Sequence, residues 1–466
     1  MVFPSVEFAI FLPVVLTLSW MLMPRPRVWK PFILVASYVF YAAASVGYCL
    51  LLAAITLANQ LGAVLVQRAI EAGDPSRGRR FVIATVAFDL GVLGVFKYYG
   101  FFVGDFSAFL EAIGLPMPLP LLTLALPIGL SFITFQAISY TVDVRRGLIE
   151  PASTLDFAIY LSFFPHLVAG PIVRAREFLP QLRTPRDPAN VAVGAGVVLI
   201  MLGLIKKVAL ADFLAREVVD PVFAVPQAYS APDALLACYG WVAQVYCDFS
   251  GYTDIAIGVA LLMGYVFPQN FNSPYRATSI RDYWRRWHIT LSRFLRDFVY
   301  IPLGGNRGGK WRAARNVLIT MTLGGLWHGA AWGFVLWGAL HGVALVVERE
   351  LRGRFETPGW LRWFLTFHFI VFSLVIFRSE TLGIAGEFYS TLVDPGPATL
   401  WTPVAVAAIA SVIGFQLLPS KPLERLRLWV ADLSPAPLAA GMAVVAAAVG
   451  ATVPSQGVPP FIYFQF

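Results

Sequence analysis

Apolar runs, many of them near the roughly twenty residues a helix needs to cross a bilayer, alternate along this chain with short basic stretches. They fall at 5–23, 31–45, 50–66, 81–102 and 121–140, then at 191–205, 232–249, 253–266, 316–347, 360–377, 401–418 and 437–453. The pattern predicts an all-α polytopic membrane protein with about eleven crossings in one membrane domain. The run 5–23 lacks a basic leader and a small-residue cleavage site, so it reads as the first span and not as a signal peptide.

Two places depart from simple alternation. The apolar run 156–171 has arginines on both sides and is interrupted by Pro165, Gly170 and Pro171. A single crossing cannot serve both flanks, so the run is expected to be re-entrant or a pair of half-helices. The connection DFSGYTD places Asp248 and Asp254 beside Gly251 and reads as a second break. The segments 103–119 and 212–233 could carry short surface helices. Basic loops at 25–30, 68–80 and 276–315 are expected to face the cytoplasm, with the N-terminus outside.

Composition agrees with this picture. The chain is 58% hydrophobic and only 13% charged, far from a soluble enzyme. Its net charge of +8 gathers in loops, as cytoplasmic loops require, and does not point to nucleic acid. Cys49, Cys238 and Cys247 have neither disulfide nor metal-ligand spacing.

The most unusual chemistry lies between Asn270 and His341. In 280–298, Trp284, Trp287, His288, Leu291, Leu295 and Phe298 recur at helical spacing, with Arg281, Arg285, Arg286, Arg293 and Arg296 elsewhere. One reading is an interfacial anchor on anionic lipid. The other is a cytoplasmic mouth for an anionic donor, since a guanidinium grips phosphate with two hydrogen bonds at once.

His328 lies about 18 Å along the apolar run 316–347, which must either tilt strongly or break near Gly329 or Gly338. Thr320, Gly324 and Gly325 leave small side chains near it, where a substrate or another backbone could approach. Burial disfavours imidazolium, so His328 is expected to be neutral and able to accept a proton. On a continuous helix His341 would lie about 220° round and face elsewhere. His166 either lines a cavity or caps freed carbonyls, and His368 reads as packing. A serine-hydrolase elbow, a zinc motif and a Walker loop are all missing from the sequence, and GGNRGGK at 304–310 reads as a flexible basic turn. A secondary transporter or flippase would share the broken helices, but no inverted repeat is visible.

Four motifs in order, PHLVAGPIVRAREFLPQL (165–182), DFSGYTDIAIG (248–258), NFNSPYRATSIRDYWRRWHITLSRFLRDFVYIPLGGNRGG (270–309) and GGLWHGAAWGFVLWGALHG (324–342), resemble the membrane-bound O-acyltransferase family. The likeness extends from the opening VFPSVEF to the closing PFIYFQF. The IPLGGNRGG continuation is similar to the alginate-acetylating type, while the teichoic-acid D-alanylating type shares the tryptophan–histidine helix. The resemblance implies a funnel-shaped helical fold in the bacterial inner membrane and an O-acyltransferase activity. It implies His328 as catalytic histidine and His288 as the second motif histidine. Substrate-binding candidates around them are Trp284, Arg285, Arg286, Trp287, Asn316, Trp327 and Trp332. No metal and no resident cofactor are expected. Acetyl-CoA is the implied acyl donor, an extracytoplasmic polysaccharide the implied acceptor, and a periplasmic acetyltransferase the implied partner.

Overall fold

The computed structural model describes residues 1, 3–115, 124–168, 170–354 and 356–452, and every regular element among them is helical. The closing PFIYFQF and the first residues of the run 121–140 lie outside the described residues. The chain divides into one unit of Met1–Ala192 with Val259–Pro268, and a second of Val193–Gly258 with Gln269–Phe466.

In the first unit, α1 (Val6–Leu22), α2 (Pro26–Ala42), α3 (Val46–Glu71) and α4 (Pro75–Ala112) follow the apolar runs. Local chemistry sets their starts. Ser5 Oγ accepts the Phe8 amide at the head of α1, Asp74 accepts the Arg77 amide at the head of α4, and prolines occupy the first turns of α2 and α4. Helix α4 passes through a π-turn at Gly94–Tyr98 and continues to Ala112, so the described part of 103–119 extends a helix instead of forming a separate surface one.

The expected span at 121–140 appears as α5 (Leu130–Arg145). It begins after Gly129, whose φ of 76° and whose position against the Leu167 carbonyl, 2.2 Å from where a Cβ would stand, both require glycine. Between α3, α4 and α5 the buried polar groups find one another: Asn59 Nδ2 donates to Asp89 Oδ1 at 2.7 Å, and Thr141 Oγ1 to Asn59 Oδ1 at 3.2 Å.

The interrupted run forms two short buried helices, α6 (Thr154–Ser162) and α7 (Phe164–Leu167), as half-helices were expected to. His166 Nε2 meets the Tyr160 carbonyl at 2.8 Å, satisfying a backbone group that the end of α6 releases.

The second unit opens with α8 (Val193–Ala224) and with α9 (Ala231–Leu262) as far as Gly258. Helix α8 absorbs two π-turns, Ile205–Ala211 and Ala215–Val219, so 212–224 belongs to it and is not a surface helix. Helix α9 runs without interruption through DFSGYTD, against the break expected there. Two facts explain the difference. The carboxylates are neutralised in place: Lys207 Nζ lies 2.6 Å from both Asp212 Oδ1 and Asp248 Oδ1, and Lys206 Nζ lies 2.6 Å from Asp254 Oδ2. Gly251 and Gly258 pack against Gly203 and Gly196 of α8, and a Cβ on either would stand within 2.8 Å of the opposing carbonyl. Glycine here permits close approach of two antiparallel helices.

Then come α10 (Ile280–Arg286), α11 (Ile289–Leu295), α12 (Lys310–His328), α13 (Trp332–Leu351), α14 (Gly359–Arg378), α15 (Leu382–Thr391), α16 (Pro403–Leu417), α17 (Ser420–Ala431) and α18 (Pro435–Thr452). Six described helices are long and apolar enough to cross a membrane: α3, α4, α8, α9, α14 and α18. Helices α1 and α16 are apolar but shorter. Helices α12 and α13 fall outside that group because their far ends carry Lys310, Arg312 and Arg315, and Glu348, Arg349 and Glu350. The protein is thus a multi-pass, all-helical membrane protein.

Candidate active site

The tryptophan–histidine segment is not one helix. Helix α10 starts on Ser279, whose hydroxyl accepts the Asp282 amide, and stops at Arg286. His288 then takes φ 42° and ψ 55°, a left-handed conformation that costs a non-glycine residue about 1–2 kcal/mol, and α11 begins behind it. The organising residue is Asn270. Its carbonyl accepts the Ile289 amide at 2.9 Å, and its side-chain Oδ1 accepts Thr290 N at 3.2 Å and Thr290 Oγ1 at 2.9 Å. That Oδ1 is also 3.2 Å from His288 Nδ1.

An amide oxygen only accepts, so in the neutral ring Nδ1 carries the proton and Nε2 is the basic nitrogen. The ring itself is fully buried, edge-on to Phe249 at 4.7 Å. Because three donors converge on one buried oxygen, Asn270→Ala is expected to lower stability by about 1–3 kcal/mol, read as a drop in melting temperature of the detergent-purified protein.

The break also splits the aromatic face. Trp287 stacks on Tyr283 (5.8 Å) and Tyr275 (6.3 Å) inside the core. Trp284 instead turns to His341, donating from Nε1 to Nδ1 at 3.2 Å.

The long apolar run 316–347 breaks at Gly329, one of the two expected places, and folds back as a hairpin of α12 and α13. Small residues set its tightness. A Cβ on Gly325 would stand 2.2 Å from the Phe334 carbonyl, and one on Gly338 2.4 Å from the Met321 carbonyl. These glycines admit backbone rather than substrate, while Gly324, beside them, faces Leu295 Cδ1.

His328 is therefore the last residue of α12. Its buried ring lies 5.0 Å from Trp327, 5.4 Å from Trp337 and 5.3 Å from Phe377. Trp327 stands 6.0 Å from His288, and so relates the two motif histidines.

With the helix folded back, His341 does not face away from this cluster, as it would on a continuous helix. Trp337 sits 4.6 Å from His341 and 5.4 Å from His328. His341 is committed, however. Its Nδ1 receives the Trp284 N–H, so Nε2 holds the proton and donates to Ser373 Oγ at 3.1 Å, while Ser373 donates to the Ile370 carbonyl. His368, expected to be packing alone, has a polar partner: its Nε2 meets Tyr239 OH at 2.8 Å.

Beside the hairpin is a cavity of about 590 Å³, a size typical of small-molecule sites. Arg281, Arg285, Arg296, Arg349 and Arg352 line it, with Trp284, Thr320 and Met321 among its other wall residues. Arg296 pairs with Asp297, Arg349 with Glu350 and Arg352 with Glu348. Among the described residues no carboxylate pairs with the guanidinium of Arg281 or Arg285. Thr320 and His328 are eight residues apart on α12, about 12 Å along one helical face.

Of the residues expected to bind substrate, Trp284 and Arg285 line this cavity. Arg286 is turned to Asp282 (2.9 Å) and to the Asn272 carbonyl. The buried Asn316 donates to the Leu303 and Gly305 carbonyls at 3.0 and 2.9 Å. It thereby holds the GGNRGG turn, in which Gly304, Gly305, Gly308 and Gly309 all have positive φ. Trp332 opens α13 and is exposed.

The sequence reading did not assign Arg349 and Arg352 to this site, because only the hairpin returns them to α10. It also passed over Trp337, whose nearness to His328 depends on the same turn. Among the described residues no group of three histidines, cysteines or carboxylates is placed to hold a metal.

Comparison with known proteins adds to this geometry. The profile of the membrane-bound O-acyltransferase family matches residues 33–378. The chain is 42% identical to the probable alginate O-acetylase of Pseudomonas aeruginosa over 85% of this chain and 75% of that protein. It is 36% identical to the peptidoglycan O-acetyltransferase of Helicobacter pylori over 77% and 72%. To the teichoic acid D-alanyltransferase of Streptococcus thermophilus it is 30% identical over 54% and 68%.

Proposed function

Since the chain belongs to the membrane-bound O-acyltransferase family, we propose that this O-acyltransferase draws an acetyl group from a cytoplasmic thioester, acetyl-CoA, and passes it to a hydroxyl on the extracytoplasmic side of the bacterial inner membrane. The final acceptor is a polysaccharide, reached directly or through a periplasmic acetyltransferase. The observation that carries the reading is the arginine-lined cavity, which shares helix α12 with His328. Arg281 and Arg285 have guanidinium groups available for a phosphate-bearing carrier, which each could hold through paired N–H donors. The names of the alginate and peptidoglycan relatives favour acetyl over D-alanyl, and those relatives match more of the chain than the D-alanyltransferase does.

The chemistry needs one proton acceptor. As the acceptor oxygen attacks the thioester carbon, its proton passes to the basic nitrogen of His328. The C–S bond then breaks, and the departing thiolate takes that proton. His288, locked by Asn270 with Nδ1 protonated, positions Trp327 from the other side. The decisive experiment supplies labelled acetyl-CoA to the purified protein in nanodiscs and follows both thioester loss and label on an added glycan. No thioester loss with acetyl-CoA would overturn the donor assignment.

The donor site has its own prediction. Arg281→Gln and Arg285→Gln should each raise the apparent KM for acetyl-CoA about 10–150-fold and change kcat much less, since each removes about 1.5–3 kcal/mol of charge-assisted binding. Arg286→Gln, whose guanidinium is already occupied by Asp282, should raise KM less. Equal effects at all three positions would count against the cavity as the donor site.

A further inference from the structure

We propose that Trp337 is a catalytic residue, and that its indole N–H donates the hydrogen bond that stabilises the oxyanion formed when the acceptor attacks the thioester beside His328. The inference rests on His328 as proton acceptor and adds the group that receives the negative charge.

Trp337 is 3% exposed, and its Nε1 makes no hydrogen bond among the described residues. A buried donor without an acceptor costs about 1–3 kcal/mol, and native proteins leave few of them. Four other indoles of the chain have acceptors: Trp29 donates to Ser19 Oγ, Trp241 to the Leu374 carbonyl, Trp363 to the Tyr275 carbonyl and Trp284 to His341. Trp337 lies against the histidine assigned to catalysis.

The rings of Trp337 and His328 are 5.4 Å apart at 85°, an edge-to-face contact that sets an N–H donor and a proton acceptor side by side, where one reacting centre lying against both can meet them. The neighbouring His341 cannot take the indole proton, because Trp284 and Ser373 already engage both of its nitrogens.

The Trp337 ring is also held rigidly. Gly338, the next residue, is pressed on the α12 backbone, and Phe377 lies 5.0 Å from the Trp337 ring. A donor held in place before the charge develops needs no reorganisation when it does, which is the condition for oxyanion stabilisation.

The electrons balance. The acceptor O–H gives its proton to His328 while its oxygen bonds the carbonyl carbon, and the C=O π pair becomes the oxyanion that accepts from Trp337. Collapse restores the C=O bond and expels the thiolate, which takes the proton from His328.

The test is Trp337→Phe in the full chain, purified and reconstituted with acetyl-CoA and acceptor. This change keeps an aromatic ring and removes the N–H. The expected result is a fall in kcat of about 10²–10³-fold, with the KM for acetyl-CoA within about threefold and the melting temperature unchanged. Replacement of Trp337 by 3-benzothienylalanine, which keeps the shape of the indole with sulfur in place of N–H, should give the same loss. The proposal is overturned if the benzothienyl protein turns over within threefold of the wild type, whatever the phenylalanine variant does. If His328→Ala is also active, it is the assignment of His328 that fails. If His328→Ala is inactive and the benzothienyl protein is normal, only the role of Trp337 fails.

Discussion

Replacement of His328 by alanine is expected to lower acyl transfer about 10²–10⁴-fold while the protein stays folded and still binds donor, the usual contribution of a positioned acid–base group. The expectation singles out one of three buried histidines in the second unit. His341 is held at both nitrogens, by Trp284 and Ser373, so it has no lone pair to offer without breaking a bond. His288 is fixed by Asn270 through the start of α11, and its removal releases that cap as well as an imidazole. His288→Ala should therefore cost stability and act more mildly on turnover. His328 closes α12 against Trp327, Trp337 and Phe377, on the face that carries Thr320 of the arginine cavity. Since alanine leaves a void in this ring cluster, His328→Gln serves as a control of closer volume. Both variants should show donor affinity near the wild type by titration and a matching loss of kcat. Near-normal turnover in either would remove the general-base assignment.

The largest effect on stability is expected at Lys207. Its ammonium is buried in α8 and is shared by Asp212 and Asp248, each at 2.6 Å. Lys207→Met would leave two uncompensated carboxylates facing each other in the interior, a loss of about 3–5 kcal/mol. That is a large part of the ~5–15 kcal/mol that holds a typical domain together. Folded yield and melting temperature should fall sharply.

A triple variant, Lys207→Met with Asp212→Asn and Asp248→Asn, removes all three charges and should recover most of the melting temperature, because burying neutral groups avoids the desolvation of unpaired ions. A single Lys207→Met protein that melts like the wild type would show that the triad is not needed for the fold. The neighbouring pair, Lys206 with Asp254, is more exposed and should cost less to break.

The fate of the DFSGYTD stretch shows why a local reading fails here. Two aspartates and a glycine in an apolar run resemble a loop when seen alone. In the folded unit the aspartates are partnered by lysines about forty to fifty residues earlier, and Gly251 exists to let α9 lie on α8. The opposite error occurred at Trp287 and His288. Their helical spacing was genuine, but Asn270, eighteen residues before His288, bonds Thr290 and the histidine and starts a new helix there.

What depends on neighbours along the chain was legible in the order of its residues. The apolar runs gave an all-helical membrane protein. The prolines and the glycine within 156–171 pointed to a re-entrant segment or paired half-helices, and the length of 316–347 to a strong tilt or a break; the structure has half-helices at the first and a break at Gly329 at the second. Four ordered motifs pointed to the family. Whatever requires two distant segments to meet came with the fold. It paired the buried charges of α8 and α9, and turned the α12–α13 hairpin so that Arg349 and Arg352 join Arg281 and Arg285. It set Trp337 between His328 and His341. The physical reason is that helix formation answers to local hydrogen bonds and hydrophobicity. The conformation at His288 and the company of a buried charge answer to partners whose approach no spacing along the chain encodes.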